Sequence, residues 1–364
     1  MFPANKKIRV LVTDDSMLAR TMISNGLNQS PRIEVVGTAI NAMDARAKID
    51  QLKPDVMTLD VEMPGMSGID FVKQLLPVVP LPVVLVSSLD LRVFDALSAG
   101  AVDFVRKPEP GRNDAFIRAL TGKVIAAAGA RVRPRAGGAV PSAGAPAAGG
   151  PRLPTTGNKP ALPAPPPLGN RPSMDATIIG LGASTGGTEA TLEVMKRLPA
   201  DIPAMLIVQH MPTGFTQMYA DRLNRLCHME VREAKDGDEL RRGLALLAPA
   251  DLQMRIVRSG TRYTVSCKSG EKVSGHRPSV DALFFSMAEQ VKCKMAGIIM
   301  TGMGRDGADG LLKMRQAGAY TIGQDKESSV VYGMPMVAYN IGAVQIQGSC
   351  ENIAGLLLRQ LQKW

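Results

Sequence analysis

The sequence predicts an α/β protein made of two doubly wound parallel-sheet domains joined by a flexible linker, and three observations support this class. In residues 1–130, short apolar runs alternate with amphipathic stretches of helical length, as strands and crossover helices do. The same alternation returns in residues 173–364. Residues 131–172 contain 11 Pro, 7 Gly and 8 Ala, a composition that cannot form a core. We therefore expect domains at 1–130 and 173–364 and a Pro/Ala/Gly-rich linker at 131–172.

Five apolar runs in the first part are predicted to be buried strands, because each is short and is separated from the next by a helix-like stretch. They are residues 8–13, 33–38, 56–59, 83–86 and 102–105. Buried strands with helical crossovers form a parallel sheet, and ligands of such sheets bind beyond the carboxyl ends of the strands.

Polar residues stand at those predicted carboxyl ends. Asp14 and Asp15 follow the first strand, Asp60 the third, Ser87 the fourth and Lys107 the fifth. Single Asp and Ser residues at strand ends are usually turn formers, but three Asp, one Ser and one Lys at neighbouring strand ends indicate a site. Three neighbouring carboxylates repel one another unless a cation joins them, and oxygen ligands with room for water suit Mg²⁺. A carboxylate held there can accept a phosphoryl group, whose charge the metal and the lysine neutralise.

These segments resemble a two-component receiver domain over about residues 7–128, in VTDDS, TLDVEMPGMSG, VVLVSSL and DFVRKP. The resemblance implies a flavodoxin-like fold, a histidine kinase as phosphodonor and phosphorylation at Asp60. The Mg²⁺ ligands that it implies are Asp14, Asp15 and Asp60. The switch residues that it implies, which respond to the phosphoryl group, are Ser87, Phe104 and Lys107.

Charge and composition exclude several other classes. The chain of 364 residues carries a formal charge of +10, but residues 131–172 contribute six basic side chains and no acid, so the rest carries only +4. A basic nucleic-acid-binding face on either domain is therefore not predicted. No run of about 18 apolar residues exists, and the N-terminus lacks a signal-peptide pattern. Four widely spaced cysteines indicate reduced thiols, so we expect a cytoplasmic protein without membrane insertion.

A possible nucleophile opens the second domain. Ser184 lies in Gly182-Ala-Ser-Thr-Gly186, which satisfies G-x-S-x-G at a predicted strand-to-helix junction. The overlapping glycines at 180, 182 and 186 also resemble a dinucleotide-binding loop. A dinucleotide-binding loop requires an acidic residue at the end of the next strand to bind the ribose hydroxyls, but here the next strand is followed by His210. A neutral imidazole serves well as a general base, so catalysis is favoured over nucleotide binding.

The remaining members of a catalytic site have few candidates. Of the three histidines, His228 stands in a helical pattern and is interpreted as structural, while His276 lies beside Arg277 in a polar loop and is a candidate for the substrate cleft. The carboxylate that would orient His210 is Asp306, which follows an apolar strand and opens a helix. Asp309 is the alternative, although it also suits a first-turn charge.

The sequence segments GLGASTGGTEA, VQHMP, GHRPSVD, MTGMGRDG and YGMP resemble the chemotaxis protein-glutamate methylesterases, which join this domain to a receiver in the same order. The resemblance implies a Rossmann-like catalytic domain without a cofactor for the esterase reaction. Its substrates would be glutamyl methyl esters, and in some members glutamines, on methyl-accepting chemotaxis receptors. We expect Ser184, His210 and Asp306 to be catalytic, backbone N–H groups near Thr185 and Met303 to bind the oxyanion, and the receiver to inhibit until phosphorylated.

A receiver-linked transcription regulator is the rival from another class. It would need a helix-turn-helix and a basic recognition helix, whereas the second domain has strand-rich periodicity and little net charge. A dinucleotide-dependent output enzyme is the second rival, and it lacks the acidic residue described above.

Overall fold

The computed structural model describes residues 6–88, 92–108, 112–132, 165–169 and 176–364. These residues form two parallel sheets with helices on their faces, and a two-stranded antiparallel ribbon. The predicted α/β class, with two doubly wound sheets, is confirmed.

The first sheet has five parallel strands in the order β2-β1-β3-β4-β5. The strands are β1 (Ile8–Thr13), β2 (Ile33–Ala39), β3 (Val56–Asp60), β4 (Val83–Ser87) and β5 (Asp103–Arg106). The helices are α1 (Met17–Asn28), α2 (Ala42–Leu52), α3 (Gly68–Leu75), α4 (Val93–Ser98) and α5 (Asn113–Ala128). This is the flavodoxin-like order. Every residue of β3 and β4 is buried, which explains their uninterrupted apolar character.

Three helices of the first unit, residues 6–130, begin at side chains that cap their free N–H groups. Ser16, Asn41 and Ser67 accept hydrogen bonds from the backbone N–H groups of Ala19, Asp44 and Asp70. Ser, Asn and Asp are the residues that favour this position. The caps end the loops that follow β1, β2 and β3, and so fix the edge of the sheet that holds the acidic residues.

The second sheet has seven parallel strands in the order β14-β13-β12-β6-β7-β9-β8. Its strands are β6 (Ile178–Ala183), β7 (Ala204–Gln209), β8 (Glu230–Glu233), β9 (Leu244–Leu247), β12 (Met295–Ile299), β13 (Tyr320–Gln324) and β14 (Ile346–Gly348). The antiparallel ribbon is β10 (Gln253–Ser259) with β11 (Arg262–Lys268). The helices are α6 (Gly187–Met195), α7 (Phe215–Leu226), α8 (Val280–Gln290), α9 (Ala308–Gln316), α10 (Met334–Asn340) and α11 (Ile353–Lys363).

The strand order of the second sheet reverses between β6 and β12. From β6 the chain proceeds to β7 on one side, and from β12 it proceeds to β13 on the other. Crevices beyond the carboxyl ends of strands at such a switch point are the usual ligand sites of doubly wound sheets. The loops after β6, β7 and β12 meet there.

Most of the expected linker, 131–172, lies outside the described residues, so the domain boundaries stay a prediction. The described parts of this segment contact residues 176–364, which we call the second unit. The Arg131 N–H donates to the Val330 carbonyl at 2.9 Å, and two N–H groups of 165–169 donate to the Asp201 carboxylate at 3.0 and 3.2 Å. Among the helices of the described residues, none combines the length and apolar character that crossing a membrane requires.

Candidate active site

The structure brings Ser184, His210 and Asp306 into one hydrogen-bonded chain at the switch point. The Oγ atom of Ser184 lies 3.1 Å from Nδ1 of His210, and Nε2 of His210 lies 2.8 Å from Oδ2 of Asp306. The Asp306 side chain is fully buried, and that of His210 is 10 % exposed. The three residues predicted from separate strand ends therefore have the arrangement that a nucleophile, a base and an orienting carboxylate require.

The turn after β6 presents Ser184. Gly186 has φ 75°, a left-handed conformation that favours glycine, and a Cβ there would lie 2.5 Å from Val330. The Ser184 N–H donates to the Thr301 carbonyl at 3.0 Å, and the Thr301 hydroxyl donates to the Thr185 carbonyl at 3.0 Å. The loop after β12 therefore holds the serine turn from one side.

His210 presents its two nitrogens in a defined way. A carboxylate only accepts hydrogen bonds, so the proton between His210 and Asp306 belongs to Nε2. In the neutral ring, Nδ1 is then the nitrogen without a proton and faces the Ser184 hydroxyl as an acceptor. In the serine proteases Nε2 faces the serine, and here the roles of the two ring nitrogens are exchanged. Both nitrogens can carry the proton, so the base function is retained.

The carboxylate of Asp306 lies at the N-terminus of α8. Its Oδ1 accepts from the Ser279 hydroxyl at 2.7 Å and from the Asp281 N–H at 3.0 Å, while Oδ2 accepts from the Val280 N–H at 2.8 Å. Burial raises the pKa of Asp306, but the hydrogen bond and charge of His210 and the donors of α8 outweigh burial and hold this pKa below its ordinary value. The helix N-terminus stabilises the anion further. Asp309, the alternative, pairs with Arg305 at 2.6 Å instead.

His276 and Arg277 both line the same cleft. The His276 ring stacks on that of His210, with centroids 3.9 Å apart and planes 10° from parallel. Burial, followed by the charge of His210, lowers the pKa of His276 to about 4. His276 is therefore neutral near pH 7 and places no positive charge beside His210. The Arg277 guanidinium is paired with Asp251 at 2.6 Å, which holds it at the rim.

Thr185 and Met303 line the cleft on either side of Ser184. Within the part of the chain that the structure describes, neither of their backbone N–H groups has a hydrogen-bond acceptor. Thr185 comes just before α6, and its hydroxyl group is 2.7 Å from Asp103 of the first unit. Two unused donors beside a serine are the groups that an oxyanion site requires.

The acidic residues of the first sheet also converge. One carboxylate oxygen from each of Asp14, Asp15 and Asp60 lies within 4.8 Å of the others. Oδ2 of Asp14 is buried and has no hydrogen-bond partner among the described residues. Burial raises the pKa of Asp14, and the charge of Asp60 raises it further; burial likewise raises the pKa of Asp60. The Lys107 ammonium, 2.7 Å from Asp60 and 3.9 Å from Asp14, balances one of these three negative charges, and the remaining oxygen donors fit a divalent cation such as Mg²⁺.

Of the predicted switch residues, Lys107 contacts this pocket, whereas Phe104 lies away from it. The Lys107 ammonium donates to Oδ2 of Asp60 at 2.7 Å, and the Ser87 hydroxyl is buried without a hydrogen-bond partner among the described residues. Phe104 is 2 % exposed and points away from the pocket to the second unit, where its ring lies 4.6 Å from that of Phe215. Lys107 therefore contacts Asp60 in the pocket, whereas Phe104, three residues earlier in the chain, contacts α7.

The first unit packs beside the candidate active site through α4, β5 and α5. Phe94 stacks on Tyr219 at 5.6 Å, and Arg222 donates to the Ser98 hydroxyl at 2.7 Å. A cleft of about 1040 Å³ lies between the units. One wall carries Ser184 and the other belongs to α5 and the end of β5. Its positively charged lining residues are Arg106, Lys107, Arg112, Arg118, Lys123, Lys272 and Arg277.

Sequence reasoning missed two parts of this site. The hydrogen bonds from the N-terminus of α8 to the Asp306 carboxylate were not predicted, although Ser279 followed by Asp281 is a recognisable helix start. The contact of Asp103 with Thr185 was also missed. Neither residue carries a local signal for it, since they are 82 positions apart in the chain.

The fold and the site together define a class of protein, the receiver-linked hydrolases of doubly wound α/β architecture. Residues 179–357 match the family model of the CheB methylesterase, and residues 10–118 match that of the response regulator receiver domain. The chain is 48 % identical over 361 residues to protein-glutamate methylesterase/protein-glutamine glutaminase 2 of Syntrophomonas wolfei, covering 98 % of this chain and 99 % of that protein.

A second relative, the protein-glutamate methylesterase/protein-glutamine glutaminase of Syntrophotalea carbinolica, is 46 % identical over 360 residues, with 96 % of each chain covered. The crystal structure of the Thermotoga maritima CheB methylesterase catalytic domain is 33 % identical, covers 50 % of this chain and 97 % of that chain, and has a TM-score of 0.49. The identity of 48 % and 46 % to the two relatives, over nearly the whole length of the chain, establishes membership of their family. The chain belongs to the CheB family of protein-glutamate methylesterases, and the resemblance found in the sequence is confirmed.

Proposed function

We propose that this protein hydrolyses glutamyl γ-methyl esters on methyl-accepting chemotaxis receptors to glutamate and methanol, under the control of phosphorylation at Asp60. The observation that carries the proposal is the unbroken hydrogen-bond chain from Ser184 through His210 to Asp306. The names of the relatives support the substrate class, and they also support deamidation of glutamine, which is the same acyl transfer with ammonia as the leaving group.

The first half of the reaction forms an acyl-enzyme. The Ser184 Oγ attacks the ester carbonyl carbon while its proton passes to Nδ1 of His210, and the carbonyl electron pair moves to oxygen. The backbone N–H groups of Thr185 and Met303 bind this oxyanion. The bond to the methoxy oxygen then breaks, and the proton on Nδ1 leaves with methanol.

The second half repeats these steps with water. His210 takes a proton from water, whose oxygen attacks the acyl carbon, and the bond to the Ser184 Oγ breaks as that oxygen recovers its proton. Asp306 keeps the Nε2 proton in place and stabilises the imidazolium that forms in each half. The proposal assigns no cofactor to these steps.

Phosphorylation acts on the receiver. When bound, Mg²⁺ supplies charge neutralisation for phosphoryl transfer, and Asp14, Asp15 and Asp60 would hold it. A histidine kinase of the chemotaxis pathway is the proposed phosphodonor, and the cytoplasm is the proposed site of action. A phosphoryl group on Asp60 would compete for Lys107 and draw Ser87 toward it, which alters the surroundings of Phe104.

The receiver is proposed to inhibit the unphosphorylated enzyme. Its α5 side forms a wall of the cleft that holds Ser184, so a receptor helix would have to share that space. Phosphorylation would weaken the packing of α4, β5 and α5 on the second unit. The activation cannot exceed the difference in docking free energy between the two states.

Methanol release from methylated receptor membranes tests the function. The full-length protein should release methanol, and the rate should rise when Mg²⁺ and acetyl phosphate are added. Membranes incubated without enzyme give the background. Release that stays at this background with both additions present would contradict the proposed function.

A further inference from the structure

The last residue of β7, Gln209, hydrogen-bonds to the backbone of both Ser184 and His210. Its side-chain Nε2 donates to the Ser184 carbonyl at 2.8 Å and to the His210 carbonyl at 3.2 Å. The residue is 2 % exposed. A primary amide nitrogen carries two protons, one for each carbonyl, so a single side chain joins the loop after β6 to the loop after β7.

The other oxygen of this amide is not satisfied. Oε1 of Gln209 is buried and has no hydrogen-bond partner within the described part of the chain. It lies against Gly187, where a Cβ would come within 2.3 Å of it. A buried acceptor without a partner costs about 1–3 kcal/mol. This cost offsets part of what the two Nε2 hydrogen bonds contribute to stability, so the amide is explained by the backbone groups that its nitrogen joins.

The two carbonyls that Gln209 Nε2 joins belong to the residues whose side chains must lie close together for the proposed reaction. Between the two loops, the structure also has a backbone hydrogen bond of 3.2 Å from the His210 N–H to the Ala183 carbonyl. That bond fixes the backbone of His210 to the residue before Ser184. The Gln209 amide adds a tie on the carbonyl side of both residues. The side chains of these two residues meet at 3.1 Å between the Ser184 Oγ and His210 Nδ1.

We propose that Gln209 is a positioning residue, which holds Ser184 and His210 at reacting distance by bridging their carbonyls. The inference rests on the proposed function, since it takes Ser184 as nucleophile and His210 as base. A displacement of about 1 Å between reacting groups can cost about 100-fold in rate. Removal of the bridge should lower kcat without affecting the binding of substrate.

Gln209→Met tests the proposal, because methionine keeps the length and removes the two donors. In the full-length protein with Mg²⁺ and acetyl phosphate, kcat for methanol release should fall about 10- to 100-fold, with KM within about twofold of wild type. The Ser184 carbonyl keeps the Gly187 N–H as a donor, while the His210 carbonyl loses its donor and the unsatisfied Oε1 is removed, so the urea midpoint of unfolding should change little. Gln345→Met is the matched control, since Gln345 hydrogen-bonds the Thr321 N–H at the opposite end of the same sheet; its kcat should stay at the wild-type value.

Gln209→Glu provides a second readout. A carboxylate cannot donate to the carbonyls, and its negative charge beside His210 favours the imidazolium. The acidic limb of the kcat profile should therefore move to higher pH, which a purely structural defect would not do. An unchanged kcat in Gln209→Met, or a wild-type kcat in Gln209→Glu at a pH above its acidic limb, would overturn the positioning role.

Covalent labelling separates this inference from the proposed function. A fluorophosphonate should label Ser184 of the wild-type protein, and labelling of Gln209→Met should be slower by about the same factor as kcat. Equal labelling rates in the two proteins would refute the bridge alone. Absence of wild-type labelling at Ser184 would refute the assigned nucleophile, and the Gln209 proposal with it.

Discussion

The hydroxyl of Thr185 donates a 2.7 Å hydrogen bond to the carboxylate of Asp103. Both side chains are buried, and Lys123 holds the second carboxylate oxygen at 2.6 Å. Thr185 directly follows the proposed nucleophile, whereas Asp103 is the first residue of β5 in the receiver. The receiver is thus connected by one side chain to the segment proposed to stabilise the oxyanion.

Breaking this contact should release inhibition. We expect Asp103→Ala to raise the rate of the unphosphorylated protein by several-fold to about tenfold. A hydrogen bond to a charged group contributes about 1.5–3 kcal/mol, and the freed Thr185 hydroxyl regains part of this energy by hydrogen-bonding to water. Initial rates on receptor membranes without phosphodonor measure this. Asp50→Ala, an exposed position on α2, should leave the basal rate as it is. A basal rate that is equal in Asp103→Ala and wild type would show that the contact does not restrain the enzyme.

Ser184→Ala should abolish methanol release without unfolding the protein. Loss of a nucleophile in a triad costs about 10⁴- to 10⁶-fold in kcat, and the side chain is only partly buried, so little packing is lost. Activity and circular dichroism of the purified variant are the measurements. Asp309→Ala, which removes only a surface ion pair, is the control. Retention of more than about a tenth of the wild-type rate would exclude Ser184 as the nucleophile.

Asp60→Ala should separate basal activity from stimulation. The variant lacks the proposed phosphoacceptor, so Mg²⁺ and acetyl phosphate should no longer raise its rate, while hydrolysis continues at or near the unphosphorylated level. Incorporation of label from a radioactive phosphodonor provides the direct readout. Incorporation into Asp60→Ala at wild-type stoichiometry would require a different acceptor.

His276 should make the catalytic domain less stable in mild acid. Its pKa is about 4 in the folded protein and 6.5 ordinarily, so both states are neutral above pH 6.5. Between pH 6.5 and 4 only the unfolded chain takes up the proton, and folding stability falls by up to about 2 kcal/mol at pH 5. His276→Phe, which keeps a stacking ring, should therefore lose less stability between pH 7.5 and 5.

The chain's single tryptophan makes this measurable. Trp364 packs against the core of the second unit, so its fluorescence during urea unfolding follows the catalytic domain. Free energies of unfolding for wild type and His276→Phe at both pH values give the comparison. An equal loss in the two proteins would mean that His276 protonates normally in the folded state.

The parts of the site predicted from sequence are those that follow from sheet geometry. Ser184, His210 and Asp306 each come a few residues after a buried strand, and parallel strands bring their carboxyl ends to one edge. The same reasoning placed Asp14 and Asp60 together. Residue type and position were sufficient there, because the backbone alone determines where such residues lie.

The parts that were missed depend on side-chain packing. The position of Gln209 was evident, but the direction of its amide depends on Gly187 and on two carbonyls. The Asp103–Thr185 contact depends on which face of one domain packs on the other, and apolar periodicity does not determine that. The strands β8 to β11 were also not predicted, since the ribbon alternates charged and apolar residues in a short polar segment.

The Asp306 carboxylate is held partly by backbone groups, which substitutions of side chains do not remove. Two of the four donors to its carboxylate are the backbone N–H groups of residues 280 and 281. Any amino acid except proline supplies such a group, so mutations that change these side chains leave the donors themselves in place. Two of the hydrogen bonds to the Asp306 carboxylate therefore depend on the backbone conformation at the start of α8, which the buried side chains of Val280 and Asp281 hold in place.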